Sequence, residues 1–222
     1  ILVRNGETRI LHTRKVGIYD AAGEPTHLLG ISFDITEQKR TQEMMECLAR
    51  ASSASEPDAF FRLCLRKLAE FYGARYAFIG LLNDSQQDVQ TLAVWAGEDF
   101  APNFEYNLVG TPCRDVLDLQ QELIPHEAAR LYPDDAMLVE MGVDSYYGAP
   151  LISSSGRTVG ILSVMDTQAM KPTPWTAPLL GVFASRVAME LERKHAIDNL
   201  HELNTSLEQR VADRTAELER AN

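Results

Sequence analysis

Cys113 is the side chain with the clearest capacity for chemistry, because of the residues around it. In the stretch Thr111-Pro112-Cys113-Arg114, the threonine can act as the N-cap of a helix and the proline as its first residue. The thiol would then lie beside the unpaired amide groups of the first turn and next to Arg114, and both features favour the thiolate. We expect Cys113 to be a half-buried structural cysteine, with a redox or ligand-contact role as the alternative.

Two further sets of side chains could contact a small molecule. His126 is the one histidine between residues 110 and 142. It could bind haem iron if it lay on an apolar wall, and it is otherwise a surface or hydrogen-bonded histidine. Aromatic side chains could line a cavity, although alternation along a strand must direct some of them into the core. The aromatic candidates are Trp95, Phe104, Tyr106, Tyr146 and Tyr147.

The sequence lacks the residue patterns of the common catalytic sites. It has no cysteine and histidine pair at a useful spacing, no glycine-rich phosphate-binding loop and no Gly-x-Ser-x-Gly. Asp134 with Asp135, and Glu190 with Glu192, are interpreted as capping and surface charges. We therefore predict neither a catalytic residue nor a metal ligand, and the sequence identifies no cofactor.

The composition restricts the classes of partner and location. The formal net charge of −11 over 222 residues argues against binding to nucleic acid or to an anionic membrane, because both need clustered lysine and arginine. Cys47, Cys64 and Cys113 are odd in number and have no paired spacing, which favours a reducing, cytoplasmic location over a disulfide framework or a zinc site. No apolar run approaches the roughly 18 residues of a membrane span. Because the first residue is Ile1, we expect an excised piece of a longer protein.

The periodicity of the apolar residues predicts an α+β domain with an antiparallel sheet in the centre of the chain. Ser55-Glu56-Pro57-Asp58 is a capping box that opens an amphipathic helix, and Gly73 is the expected end of that helix. Residues 110–142 are expected to be irregular, with two short helical pieces. The predicted strands span residues 75–82, 89–95, 104–108, 144–153 and 158–166.

The last two of these strands give the domain a family resemblance. One contains Tyr-Gly-Ala-Pro-Leu at residues 147–151, and the next contains Val-Gly-Ile-Leu at residues 159–162 and ends in Asp166. Two such strands around a short turn, in this order, are similar to those of GAF domains, and the resemblance covers residues 53–192. It implies an antiparallel sheet with flanking helices and a pocket built by the variable middle of the domain.

The sequence differs from the motifs of several GAF subfamilies, and these differences reduce the number of ligand classes that we expect. The asparagine-lysine-phenylalanine motif of cyclic-nucleotide-binding members is absent. Cys113 is not followed by histidine, as the chromophore-bearing cysteine of bilin-binding members typically is, so covalent bilin attachment is not expected. The free methionine sulfoxide reductases of this fold need several pocket cysteines. Cys47 and Cys64 are predicted on helices outside the pocket, which leaves Cys113 alone.

The N-terminal residues predict a β-hairpin followed by a helix. Residues 9–19 and 27–35 alternate apolar and polar side chains around a turn at residues 20–25. The hairpin closes on Asp34-Ile35-Thr36-Glu37, which resembles the end of a PAS sensor domain, so residues 1–36 are expected to be the C-terminal part of such a domain. Thr36 is the expected cap of a connector helix over residues 37–52. The apolar stripe of this helix is Met44, Met45, Leu48 and Ala51.

The C-terminal residues predict one long helix, with Thr176 as its N-cap and no proline after Pro178. Residues 193–222 carry a heptad pattern that is typical of a two-stranded coiled coil, with polar positions that fix the register. The pattern is similar to the linker before the output domains of bacterial sensor proteins. One set of core positions is Ile197, Asn204, Val211 and Leu218, and the other is Leu200, Leu207, Arg214 and Ala221.

These patterns together predict a regulatory fragment of a cytoplasmic bacterial signalling protein. We expect a homodimer through the terminal helices that relays a small-molecule or redox signal to an output domain outside this sequence, such as a histidine kinase or a cyclic-dinucleotide enzyme. One alternative is a ligand-free dimerisation spacer, whose cavity is filled by its own aromatic side chains. Another is a methionine sulfoxide reductase that depends on Cys113.

Overall fold

The computed structural model describes residues 2–4, 7–36, 38, 39, 41, 42, 46, 57–119 and 121–221. The chain divides into two compact units, Ile1–Ala51 and Ser52–Asn222. The predicted stripe of the connector helix and the first half of the predicted capping box lie outside the described residues. Cys47 lies outside them as well.

The N-terminal unit contains the predicted hairpin and an additional short one. Strands β1 (Leu2–Arg4) and β2 (Glu7–Arg9) pair with each other, and β3 (Leu11–Tyr19) pairs in antiparallel fashion with β4 (Pro25–Asp34). The carboxylate of Asp20 closes the β3–β4 turn, since its Oδ1 accepts hydrogen bonds from the amides of Ala22 and Glu24, each at 2.9 Å. The short β1–β2 hairpin was not predicted, because three-residue strands are too short to show a period.

The segment Asp34–Thr36 joins the hairpin to the helical residues that follow. Asp34 Oδ1 accepts hydrogen bonds from the Thr36 amide at 3.0 Å and from the Thr36 hydroxyl at 2.6 Å. The Thr36 hydroxyl itself accepts the amide of Ile10 at 2.8 Å. Thr36 is therefore not the predicted helix cap. The carboxylate of Asp34 binds the first helical amide, and the threonine hydroxyl ties that position to the chain before β3.

The larger unit is built on one antiparallel sheet, as predicted. Its strands are ordered β7-β6-β5-β11-β10-β9, with β8 also paired to β6. The strands β7 and β9 were missed, because they have only three residues each and lie at the edges of the sheet. The bounds are β5 Tyr76–Leu82, β6 Asp88–Ala96, β7 Asp99–Ala101, β8 Glu105–Asn107, β9 Glu122–Ile124, β10 Ser145–Ile152 and β11 Thr158–Asp166.

One face of the sheet is covered by two helices. Helix α1 (Pro57–Tyr72) buries an apolar face that includes Phe60 and Phe61, and Gly73 follows it in the left-handed conformation (φ +63°), which makes it the predicted helix end. The first part of helix α5 (Thr176–Ala221) packs beside α1 with Phe183 and other buried apolar side chains. The buried side chains of this layer form the part of the hydrophobic core that lies on this face of the sheet.

The other face is covered by the variable middle of the domain. Two helical pieces were predicted between residues 110 and 142, whereas the structure contains three helices in addition to β9. They are α2 (Pro112–Leu119), α3 (Ala128–Leu131) and α4 (Ala136–Glu140). Helices of four or five residues are too short for a helical period to be recognised in a sequence.

Helix α5 is one continuous helix of 46 residues, as predicted. Thr176 is its first residue, and its hydroxyl accepts the amide of Thr173 at 2.8 Å, so the predicted N-cap role of Thr176 is wrong. Every described side chain from His195 to Val211 is exposed. No helix among the described residues combines the length and the apolar character needed to cross a membrane.

Candidate ligand cavity

A cavity of about 510 Å³ lies between the sheet and the variable middle of the larger unit. Its floor is formed by residues of β5, β6, β10 and β11, and its walls by β8, the start of α2 and helix α4. Most of the lining is apolar or aromatic, as is typical of small-molecule sites. The apolar and aromatic lining residues are Tyr76, Ala77, Phe78, Val94, Phe104, Tyr106, Val109, Ala136, Met137, Leu138, Met141, Val143, Tyr146 and Met165.

Cys113 and two tyrosines form a polar cluster in this cavity. The Tyr106 hydroxyl donates to Cys113 Sγ at 3.2 Å, and the Tyr146 hydroxyl also lies 3.2 Å from the same sulfur. Cys113 is the second residue of α2, as predicted, and both Cys113 and Tyr146 are buried. Three of the predicted candidates therefore meet at one point, and Phe104 lies on the cavity wall beside them.

The predicted thiolate at Cys113 is not supported. Burial raises the pKa of the Cys113 thiol to about 11, and this effect outweighs the hydrogen bonds from the two tyrosines, which act in the opposite direction. Arg114 does not assist, because its exposed side chain pairs with Asp118 at 3.5 Å. Burial also raises the pKa of Tyr106 and of Tyr146 well above the usual tyrosine value. The whole cluster is consequently uncharged at neutral pH.

Gly148 makes room for this cluster and was not singled out from the sequence. A Cβ atom at Gly148 would lie 2.5 Å from the Tyr146 hydroxyl and 2.5 Å from Val116 Cγ2. Tyr146 and Gly148 are two residues apart on β10 and so share one face of the sheet. The missing side chain at Gly148 allows the Tyr146 ring to lie along the strand and reach Cys113. The Tyr-x-Gly spacing is the signal that could have revealed it.

Three acidic residues complete the lining of the cavity. Asp134, Asp135 and Glu140 line it together with the polar residues Asn107 and Thr111. The Asp135 carboxylate caps α4 by accepting the amide of Leu138 at 3.0 Å, as the sequence suggested, and burial raises its pKa. Among the residues that the structure describes, the lining contains no lysine, arginine or histidine.

The structure places the remaining predicted candidates elsewhere. Trp95 packs edge-on against Phe100 with ring centroids 5.1 Å apart, and His126 lies in a turn with its side chain 65% exposed. Tyr147 faces the helical layer. Trp95 and Tyr147 do not line the cavity because side chains alternate between the two faces of a strand, and their neighbours Val94 and Tyr146 face the cavity instead.

Tyr147 connects the sheet to the start of α5. Its hydroxyl donates to the carbonyl of Met170 at 2.8 Å, and its ring lies 6.0 Å from that of Tyr72, edge to face. The Tyr72 hydroxyl in turn donates to the carbonyl of Thr176, the first residue of α5, at 2.6 Å. Consecutive residues of β10 therefore contact the cavity on one face and, on the other, Met170 and the Tyr72 ring, whose hydroxyl is bonded to the first residue of the long helix.

Two glutamates of α5 that were interpreted as capping and surface charges have different roles, and only Glu192 bonds to another part of the domain. The Glu190 side chain is buried, which corrects its interpretation as a surface charge, and it accepts a hydrogen bond from Arg193 Nε of the same helix at 2.8 Å. Glu192 Oε1 accepts the amide and the hydroxyl of Ser154, both at 2.8 Å, in the turn between β10 and β11. The helix is thus attached at its start through Tyr72, again at Glu192 and at Lys194, whose Nζ donates to Asp58 Oδ1 of α1 at 3.1 Å, and its described side chains from His195 to Val211 are exposed.

The exposed part of α5 carries the predicted heptad positions. Asn204 donates to Glu208 on the same helix at 3.0 Å. Leu203 is exposed beside the predicted seam and was not included in it. The exposed apolar residues of this segment are Ile197, Leu200, Leu203, Leu207, Val211 and Leu218.

Comparison with solved structures places the larger unit among known folds. The chain is similar to a methyl-accepting chemotaxis protein (16% identity, TM-score 0.55, covering 68% of this chain and 98% of that one). It is also similar to a free methionine-R-sulfoxide reductase from Neisseria meningitidis in complex with its substrate (14%, TM-score 0.55, 71% and 91%). A third similar structure is the chromophore-binding domain of an unusual bacteriophytochrome from R. palustris (9%, TM-score 0.61, 86% and 70%). At such low sequence identity, these structural similarities establish a shared fold alone.

A comparison with curated proteins gave no match. The comparison with protein families did give a match, since the GAF domain family matches residues 56–191. This range runs from the start of α1 to the last buried turn of α5 and includes the whole cavity. The chain belongs to the GAF domain family.

Proposed function

We propose that this chain is the sensory and relay part of a bacterial signal-transduction protein. In this proposal the cavity binds a small molecule, two copies of α5 pair as a coiled coil, and the signal passes to an output domain such as a histidine kinase. Residues 1–36 would be the end of a PAS domain, and the protein would act in the cytoplasm. The observation that carries the proposal is the opposite orientation of Tyr146 and Tyr147, since Tyr146 lines the cavity and Tyr147 contacts Tyr72, which is bonded to the first residue of α5.

A shift between two packing arrangements is the mechanism that fits this link. A ligand that contacts Tyr146 or Cys113 would favour one position of β10 over another. Tyr147 would pass that change to Met170 and to the Tyr72 ring, whose hydroxyl is bonded to Thr176. A ligand can bias such an equilibrium only to the extent that it binds the two arrangements differently. Tyr146 is well placed to supply this difference, because it is part of the cavity lining.

Pairing of α5 with a second copy is supported by the exposed apolar residues on its distal half. They recur at spacings of three and four residues, which is the pattern that two helices bury against each other. Asn204 and Arg214 occupy core positions of the same seam and would fix the register at some cost in stability. The seam residues in this proposal are Ile197, Leu200, Asn204, Leu207, Val211, Arg214 and Leu218.

The two alternative functions receive less support. A spacer would not need an open cavity of about 510 Å³ with a polar cluster inside it. A thiol enzyme needs an ionisable cysteine with a partner, whereas Cys113 is a buried neutral thiol and Cys64 is buried on α1 beneath the opposite face of the sheet.

Native mass spectrometry of the purified chain tests the proposal most directly. We expect a dimer that carries one additional small mass per subunit, or that acquires one from a metabolite library. Replacement of Phe104 by Trp would fill the cavity and should remove the added mass while the dimer remains. A monomer that gains no mass from any library compound would overturn both the sensing and the relay parts of the proposal.

A further inference from the structure

We propose that the GAF cavity selects an organic cation, namely an amine carried on an apolar or aromatic body. This inference rests on the proposed sensing function and specifies its ligand class. It is carried by the charges, the aromatic rings and the buried polar atoms that line the cavity.

The ionisable residues of the lining give the cavity a negative character. Asp134, Asp135 and Glu140 line it, and no basic residue among those described does so. A ligand with a carboxylate or a phosphate would therefore meet several carboxylates and no counter-charge. An ammonium group would meet favourable charges, and solvent screening would be weakest at Asp135, which is half-buried, whereas Asp134 and Glu140 are exposed.

Asp135 is the acid best positioned to contact such a ligand. Its carboxylate is held in place as the cap of α4 through the Leu138 amide. It is also close enough to Tyr106 and Cys113 to act electrostatically on both. A fixed, half-buried carboxylate next to the polar cluster is suited to bind an ammonium group, since little side-chain entropy is lost on binding.

Three neighbouring aromatic rings line the same cavity as the acids. The ring of Tyr106 lies 6.1 Å from that of Phe78 and 5.9 Å from that of Phe104, measured between centroids. Aromatic faces attract ammonium groups through their quadrupole, and they also bury the apolar body of a ligand. The combination of acids and aromatic rings favours a cation over a neutral molecule of the same shape.

The N-terminus of α2 also reaches the cavity and by itself would favour an anion. Asp115 lies in the first turn of this helix and opposes that effect.

Three indole compounds of similar shape distinguish the effect of ligand charge on affinity from the effect of ligand size. Tryptamine is a cation, tryptophol is its neutral alcohol counterpart and indole-3-acetate is an anion. Isothermal titration calorimetry of the whole chain at low ionic strength should give tryptamine an affinity about tenfold higher than that of tryptophol, with indole-3-acetate weakest. Raising the salt concentration should reduce only the preference for tryptamine.

A double variant tests whether the acidic residues of the lining cause the preference for a cation. Asp134→Asn with Glu140→Gln should weaken tryptamine binding by about three- to tenfold and leave tryptophol binding unchanged. Asp84→Asn with Glu98→Gln removes the same formal charge outside the cavity lining and should change neither affinity. Circular dichroism verifies that both variants fold.

Equal or tighter binding of tryptophol or indole-3-acetate would overturn the cation preference, while binding as such would leave the sensing function standing. Equal weakening by the two double variants would also overturn it, because the effect would then reflect only net charge. If no indole compound binds at millimolar concentration, the cation inference fails. The sensing function fails with it only if a metabolite library also adds no mass.

Discussion

The hydroxyl groups of Tyr146 and Tyr147 end on opposite faces of the same sheet, one beside Cys113 Sγ and the other on the carbonyl of Met170. Adjacent residues of a strand always diverge in this way. Here one hydroxyl lies within the cavity lining and the other is bonded to the segment that precedes α5. A displacement of β10 of a few tenths of an ångström would alter both sets of contacts at once.

The hydroxyl contact at the start of α5 should be measurable. Tyr72→Phe removes the hydrogen bond to the Thr176 carbonyl, and we expect a loss of about 1 kcal/mol in the free energy of unfolding. Hydrogen exchange of the first turns of α5 should become faster than in the wild type, while exchange in β5 stays the same. Tyr19→Phe, on the exposed face of the N-terminal hairpin, serves as the control. Unchanged exchange at residues 176–182 would exclude Tyr72 as a support of the helix origin.

Two glycine substitutions should change stability in opposite directions. Gly148→Ala places a Cβ atom 2.5 Å from the Tyr146 hydroxyl and should cost about 1–3 kcal/mol. Gly181→Ala lies within α5 with no heavy atom within 4 Å of the added Cβ, and it should add about 0.5–1 kcal/mol by helix propensity. Urea unfolding of the two variants measures both effects. A neutral Gly148→Ala would mean that the Tyr146 ring moves aside freely.

The buried thiol should make stability fall at alkaline pH. A cysteine in the unfolded chain ionises near pH 8.5, whereas the pKa of Cys113 is raised to about 11 by burial. Between these values the folded state binds more protons than the unfolded state, so the free energy of unfolding decreases as the pH rises. Tyr106 and Tyr146 add to the decrease above about pH 10.

Cys113→Ser should reduce this decrease between about pH 8.5 and 10, as measured by urea unfolding at a series of pH values. Alkylation of the native protein by iodoacetamide, followed by peptide mass spectrometry, provides an independent measurement. Cys113 should react far more slowly at pH 7.5 than a free thiol does. Rapid alkylation of the folded protein at that pH would show that the sulfur is ionised, as its position at the helix start alone suggested.

The proposed seam on α5 predicts how the proposed dimer would respond to substitution. Leu207→Asp should dissociate it, because a charge would be buried between the two helices. Asn204→Leu should strengthen it by removing a polar core position. Light scattering after size-exclusion chromatography measures both, with Glu202→Gln, at an exposed position on the side of the helix away from the seam, as control. A monomeric wild-type chain, or a dimer that tolerates Leu207→Asp, would place the interface elsewhere.

The sequence predicted most of those helices and strands that are long enough to show a repeating pattern of apolar residues. Gly73 and the 46-residue helix were recognised because glycine, proline and apolar spacing act locally. The short elements β7, β9 and α3 were missed, since three or four residues carry no period. The order of helices and strands along the chain indicated the antiparallel sheet, and the family resemblance implied the same sheet.

The candidate site was only partly predictable. Cys113 was correctly placed at a helix start, but its burial depends on Tyr106, Tyr146 and Val116, which come from other parts of the chain. The charge state of the thiol was therefore predicted in the wrong direction. Which of Tyr146 and Tyr147 faces the cavity depends on the register of the sheet, and one residue of shift would exchange them.

The unbroken length of α5 has a mechanical consequence. From His195 to Ala221 the helix extends about 40 Å without a proline to bend it. A tilt of about 5° at the sheet would therefore move its far end by about 3–4 Å, which exceeds the radius of the Cα cylinder of a helix. A ligand would need to shift β10 only slightly for a partner domain at that end to register a full change of helix position.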